Sequence, residues 1–133
     1  MPTQDRVLLI DDDEQVAGSL REYLVRNGSL VDVAVDLSSA EHLLDAQPYE
    51  VIVVDPYLTG GVEHSDGALL SMIRVRQPSA ALIVLTGYGS SALTISAERE
   101  RAYAVLTKPQ SVVDLSELVA GASAGVLPDL QNH

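Results

Sequence analysis

The chain contains no cysteine, no tryptophan and no phenylalanine among its 133 residues. The missing thiols exclude disulfides, thiolate nucleophiles and zinc sites built on cysteine. Its five tyrosines are the only aromatic residues, too few for a platform on which nucleic-acid bases stack. Basic charge is scarce as well: 8 Lys plus Arg stand against 19 Asp plus Glu, a formal net charge of −11, and Lys108 is the only lysine. The deficit is one-sided, since residues 1–66 carry 14 acids and 3 bases while residues 67–133 carry 5 of each. Such a surface repels phosphate backbones and anionic lipid, which argues against direct binding to nucleic acid or membranes. No apolar run approaches the roughly 18 residues of a membrane span. Residues 1–5 lack the basic-then-apolar pattern of a secretory signal, so the expected location is the cytoplasm.

What the chain does have is valine, isoleucine and leucine in short runs. It is 47% hydrophobic and 20% charged, enough to bury the core of one domain. Five runs recur: Val7 to Ile10, Val31 to Val35, Val51 to Val54, Ala80 to Leu85 and Ala102 to Leu106. The first, third and fourth are continuous, as strands buried on both faces of a parallel sheet require. Their starts lie 24, 20, 29 and 22 residues apart, room for a strand, a helix and two loops each time. The pattern predicts βα repeated five times.

Helical spacing fills the gaps. Val16, Leu20, Tyr23 and Leu24 form one stripe, which Asn27-Gly28 stops. Ser38 and Glu41 read as a capping box for the second helix, and Asp66 as the N-cap of a third carrying Leu69, Met72 and Ile73. Ser90 to Glu100 is the weakest pattern, broken by β-branched Thr94 and Ile95. Ser111 caps the last helix, where Val112, Leu115, Val119 and Ala122 share a face. The domain is expected over residues 1–122, with 123–133 a flexible tail too short for a further module.

The chemistry-bearing residues fall at strand ends. Asp11, Asp12 and Asp13 follow the first strand, Asp55 the third, Thr86-Gly87 the fourth and Thr107-Lys108-Pro109 the fifth. In an open parallel sheet the functional crevice lies outside the carboxyl ends of the strands, so these residues meet on one rim. Clustered carboxylates repel one another unless a cation intervenes, and hard oxygen ligands without His or Cys suit Mg²⁺ or Mn²⁺. Such an ion lets a phosphoryl group approach Asp55, while Thr86 donates a hydrogen bond and Lys108 neutralises a phosphoryl oxygen. Asp13 is placed to cap the first helix. His42 and His64 stand alone and read as solvated surface residues.

At this point the chain resembles the receiver domains of two-component response regulators (CheY-like). The matching motifs are Val7-Leu-Leu-Ile-Asp11-Asp12, Val51-Ile-Val-Val-Asp55, Val84-Leu-Thr86-Gly87-Tyr88-Gly89 and Leu106-Thr107-Lys108-Pro109, and the resemblance spans about residues 5–122. It implies an α/β, flavodoxin-like (βα)5 doubly wound fold with five parallel strands in the order 2-1-3-4-5 and helices on both faces. It further implies that Asp55 accepts a phosphoryl group from the phosphohistidine of a sensor kinase or phosphotransfer protein. Asp12 and Asp55 would bind Mg²⁺ directly with the Tyr57 carbonyl, and Asp11 through water. Thr86, the Gly87 N–H and Lys108 would contact the phosphoryl group and signal to the face of the fourth helix, fifth strand and fifth helix, where a downstream protein, an output domain or a second copy binds. The implied activity is a signalling one, catalysing only its own phosphorylation and dephosphorylation.

Three departures from that family's pattern stand out. The loop after Asp55 is longer by four residues, with Gly67 12 positions on rather than eight, and carries Glu63 and Asp66. Its proline is Pro56, directly after the acceptor. Val105 stands where the family has an aromatic switch, and Tyr103, two residues earlier, or motion of the weakly patterned fourth helix is expected to carry the signal instead. Tyr57 and Tyr88 flank the path of an attacking water and are expected to slow dephosphorylation. Two other functions compete with the phosphoacceptor. One is a receiver-like interaction module acting without phosphorylation. The other is a phosphohydrolase similar to the haloacid dehalogenases, with Asp11 and Asp13 as nucleophile and acid/base; that reading leaves Asp55 without a role. A dinucleotide site at Gly87-x-Gly89-x-x-Ala92 lacks the acid it needs about 20 residues on, and a flavin site lacks a phosphate cradle because the first loop is acidic.

Overall fold

A computed structural model describes residues 5–57, 67–87 and 89–126. Five strands alternate with five helices: β1 (Arg6–Ile10), α1 (Glu14–Arg26), β2 (Leu30–Ala34), α2 (Leu37–Ala46), β3 (Val51–Val54), α3 (Ala68–Arg76), β4 (Ala81–Thr86), α4 (Ser91–Arg99), β5 (Ala104–Thr107) and α5 (Val112–Ser123). All strand pairs are parallel, in the order β2-β1-β3-β4-β5.

The period of two within the central strands builds two cores. Leu8 and Ile10 of β1, Ile52 and Val54 of β3, and Leu82 and Val84 of β4 point to one face, where Leu44 of α2, Leu70 and Ile73 of α3 and Leu93 of α4 cover them. Their neighbours Val7, Leu9, Val51, Val53, Ile83 and Leu85 point to the other, against Leu20 and Leu24 of α1 and Leu115 and Val119 of α5. Burial on both faces is why the apolar runs are unbroken.

Caps differ in places from the sequence expectation. Asp13 caps α1, its side chain accepting the Val16 N–H at 3.2 Å, and Ser111 caps α5, both as expected, while α4 is capped by Ser90. Beyond α1 the chain turns through Gly28 at φ 97°, a conformation side-chain-bearing residues rarely adopt. The expected capping box of Ser38 and Glu41 is replaced by one in which Asp36 accepts the Ser39 N–H at 2.8 Å. The chain leaves β2 at Ala34, so α2 starts at Leu37 and Ser38 already lies inside it. The residue capping α3 is Gly67, not Asp66, which lies outside the described residues. Gly67 sits against α4, and a Cβ there would come within 2.6 Å of the Ser96 hydroxyl.

Strand β5 starts two residues later than the apolar run suggests. The chain leaves α4 through Arg101 at φ 58° and joins the sheet only when the Tyr103 N–H reaches the Leu82 carbonyl, so Tyr103 immediately precedes β5. Its hydroxyl donates to the Val126 carbonyl just beyond α5. The weak apolar pattern of α4 has a simple cause: Leu93 and Ala97 face the core while Ile95 is 56% exposed. Among the described residues no helix is long and apolar enough to cross a membrane.

Candidate functional site at the carboxyl ends of the strands

Three backbone hydrogen bonds carry the sheet ladder one residue past its strands. The Asp11 N–H donates to Ala34 O at 3.0 Å, Asp55 N–H to Ile10 O at 2.8 Å and Lys108 N–H to Thr86 O at 2.8 Å. Asp11 and Asp55 therefore begin where a buried strand ends and Lys108 where the partly exposed edge strand β5 ends, each with its backbone fixed by a neighbouring strand. The Lys108–Pro109 peptide is cis.

The side chains converge on the lysine. Its ammonium lies 2.8 Å from Asp11 Oδ2 and 3.1 Å from Asp55 Oδ2. Both carboxylates are buried, Asp11 at 5% and Asp55 at 7% exposure. The remaining acceptors are used locally: Asp11 Oδ1 takes the Asp13 N–H at 2.9 Å, and Asp55 Oδ1 takes the Tyr57 N–H at 3.0 Å. Burial disfavours the ionised form of Asp11 and raises its pKa despite the opposing hydrogen bond from Lys108. Burial by itself would lower the pKa of Lys108, but its bonds to Asp11 and Asp55 outweigh that and raise it. The ammonium is thus held charged between two acids.

Thr86, fully buried, ends β4 beside Thr107 of β5, and Gly87 follows it. Asp12 and Asp13 are exposed at the mouth. Tyr57 is half-buried and packs against the core beneath α2, α3 and α4. Tyr88, Glu63, His64 and Asp66 lie outside the described residues. Val105 is 37% exposed on β5. Tyr103 meets the far end of α5, its hydroxyl 3.2 Å from where a Cβ on Gly121 would stand. Within the site, sequence reasoning missed Gln110, whose amide donates to Thr107 O at 2.8 Å and braces the lysine's loop. A glutamine in a loop carries no signal of its own.

The donor set is hard oxygen, with no imidazole or thiolate, which suits a divalent ion such as Mg²⁺. Among the described residues no three acidic or histidine side chains converge closely enough to hold an ion as they stand, Lys108 supplying the positive charge between Asp11 and Asp55.

This arrangement can be set against known proteins. Residues 7–120 match the model of the response regulator receiver domain. The chain belongs to that family. A response regulator from Burkholderia pseudomallei, solved with a phosphorylated aspartic acid, a calcium ion and citrate, is 35% identical, with a TM-score of 0.76 over 92% of this chain and 71% of that one. The beryllofluoride-activated NtrC4 receiver domain dimer is 31% identical, with a TM-score of 0.78 over 90% of this chain and 97% of that one. Among curated relatives, FleR of Pseudomonas aeruginosa is 32% identical over 92% of this chain, and RegA of Cereibacter sphaeroides 26% over 95%. The receiver spans about two thirds of RegA and a quarter of FleR.

Proposed function

We propose that Asp55 is a phosphoacceptor, taking a phosphoryl group from a phosphohistidine on a sensor kinase or phosphotransfer protein. The observation that carries this is the Lys108 ammonium shared by Asp11 and Asp55 at the carboxyl ends of three strands. In the transfer a carboxylate oxygen of Asp55 forms a bond to phosphorus as the bond from phosphorus to the donor imidazole breaks. The Tyr57 N–H and Lys108 orient the Asp55 carboxylate beforehand, so little reorganisation is needed at the moment of reaction. Lys108, the Thr86 hydroxyl and the Gly87 N–H are the donors for the phosphoryl oxygens, and Lys108 is drawn away from Asp11 as that charge arrives. Asp12, Asp55 and the Tyr57 carbonyl would hold Mg²⁺ directly and Asp11 through water; the ion supplies charge neutralisation between acid and phosphoryl group.

The signal then passes to the face formed by α4, β5 and α5. Ile95, Val105 and Val113 expose apolar surface there at 56%, 37% and 46%. With Val105 in the switch position, Tyr103 or a movement of α4 carries the change, and the output is a partner, a further domain or a second copy. The likeness to full-length regulators that exceed this chain supports an attached output domain. A receiver acting without phosphorylation is the second reading, favoured by Pro56 beside the acceptor and by the exposed aliphatic Val105.

Incubation with acetyl phosphate and Mg²⁺ followed by intact mass separates the two. Gain of one phosphoryl group, absent from Asp55→Asn, is expected. No gain in the parent chain would leave the phosphorylation-independent module.

A further inference from the structure

Asp55 is followed directly by Pro56, a buried neighbour with no part in the scheme above. The Asp55 side chain is folded back along its own backbone, because Oδ1 accepts the N–H of Tyr57, two residues on. This is the bond of an Asx turn, in which the side-chain carbonyl mimics a backbone one. The carboxyl carbon is thereby held alongside the peptide nitrogen of residue 56, with which it can close a five-membered ring. A free carboxylate does not react in this way, having no leaving group. An acyl phosphate is a mixed anhydride, and phosphate leaves readily.

At any ordinary residue 56 the ring can close. The nitrogen bonds to the Asp55 side-chain carbon, the bond from that carbon to the phosphate oxygen breaks, and the amide proton departs with phosphate. A succinimide remains, which water opens to aspartate or to isoaspartate. Proline has no amide proton to lose. Attack by its nitrogen would give an acylammonium that cannot be neutralised and that returns to the open form.

We infer that Pro56 guards the phosphorylated state of Asp55 against succinimide formation by its own backbone, so that the mark is lost to water or to another acceptor and not to the chain itself. The inference rests on the phosphoacceptor reading. It matters in proportion to the lifetime of the acyl phosphate.

The test compares the full chain with Pro56→Ala and Pro56→Leu, the second keeping an apolar side chain in the buried position should alanine loosen the loop. Far-UV circular dichroism matching the parent admits a variant. Each protein is treated with acetyl phosphate and Mg²⁺, freed of the reagent, and followed by intact mass and peptide digestion. The parent gains one phosphoryl group and returns to its starting mass. The variants gain the same group and then accumulate a species one water lighter than the unmodified chain, with isoaspartate at position 55 in the digest; untreated variants keep their mass. Variants that are phosphorylated and return to the starting mass with neither the dehydrated species nor isoaspartate at position 55 overturn the guard and leave the phosphoacceptor reading intact. A parent that gains nothing overturns that reading, and the guard with it.

Discussion

At the scale of single residues the site is defined by one ammonium between two buried acids. Removing one partner of such a group leaves uncompensated charge, which costs about 3–5 kcal/mol when fully buried. Here the lysine side chain is 18% exposed and its partners 8% and 9%, so water reaches the rim and the cost is smaller. Lys108→Met is therefore expected to destabilise the fold by about 1–2 kcal/mol at neutral pH, read from urea denaturation. Added Mg²⁺ should restore more stability to the variant than it adds to the parent, because two unneutralised carboxylates then face the ion. A Mg²⁺ response equal in the two would mean that Lys108 and the ion do not share these acids. A second residue acts at the opposite end of the sheet. Tyr49 is 4% exposed, its hydroxyl donating to Asp32 at 2.8 Å and accepting from the Gln47 amide at 3.0 Å. Burial raises its pKa from 10.0 to about 12. Below pH 10 both folded and unfolded chains keep the phenol proton; between pH 10 and about 12 the unfolded chain loses it first. Stability then falls as pH rises, since the unfolded state binds fewer protons. Tyr49→Phe should cost about 1 kcal/mol at neutral pH through the lost hydrogen bonds and should flatten the decline in that alkaline window, measured by denaturation midpoints across it.

At the scale of elements, the joint between α3 and α4 is held chiefly by one side chain. Arg74 donates to Glu100 O at 2.9 Å, Ala80 O at 2.7 Å, and Gln77 O and Pro78 O at 3.2 Å each. Ser71 adds a bond to the Glu100 carboxylate at 2.8 Å. These contacts satisfy carbonyls at the C-terminal end of α4 and at the entry to β4, which their own elements leave open. Arg74→Met keeps most of the stem but removes every donor, and is expected to cost about 2–3 kcal/mol. Amide exchange should quicken around residues 98–103 more than along α1; uniform quickening would show that Arg74 does not hold this joint in particular. The same joint shows where sequence reading stopped. The buried strands were legible, because Val51 to Val54 and its neighbours have no polar face to disguise them, and so were caps in which a single hydroxyl or carboxylate does the work, as at Asp13 and Ser111. A bond such as Arg74 to Glu100 joins residues 26 apart, and neither propensity nor periodicity carries that information. The start of β5 failed for a related reason. Ala102 and Tyr103 are apolar enough for a strand, yet the turn out of α4 decides where the chain meets β4.

At the scale of the whole molecule, the acidic excess and the site are two aspects of one distribution. The site was legible because its charged residues follow apolar runs, and because one lysine in 133 residues standing at such an end is a sharp signal. The remaining acids carry no such positional marker, and how they share the surface could not be read. Ion pairs relieve few of them. Among the described residues Arg26 meets Glu22 at 3.5 Å with both side chains well exposed, and Arg76 meets Asp45 at 3.0 Å and Glu41 at 4.0 Å. Exposed pairs of this kind contribute about 0–1 kcal/mol each and weaken in salt. The repulsion of a −11 chain is also screened, and it acts among many more pairs of charges. Raising ionic strength from about 0.01 M to about 1 M shrinks the screening length from about 30 Å to about 3 Å. Repulsion loses more than the few pairs do, so the thermal midpoint should rise with sodium chloride. The Lys108 pairs are too buried to be screened to the same degree, so Lys108→Met should keep this rise. A midpoint that falls with salt would mean that attraction across the surface, not repulsion, governs the folded state.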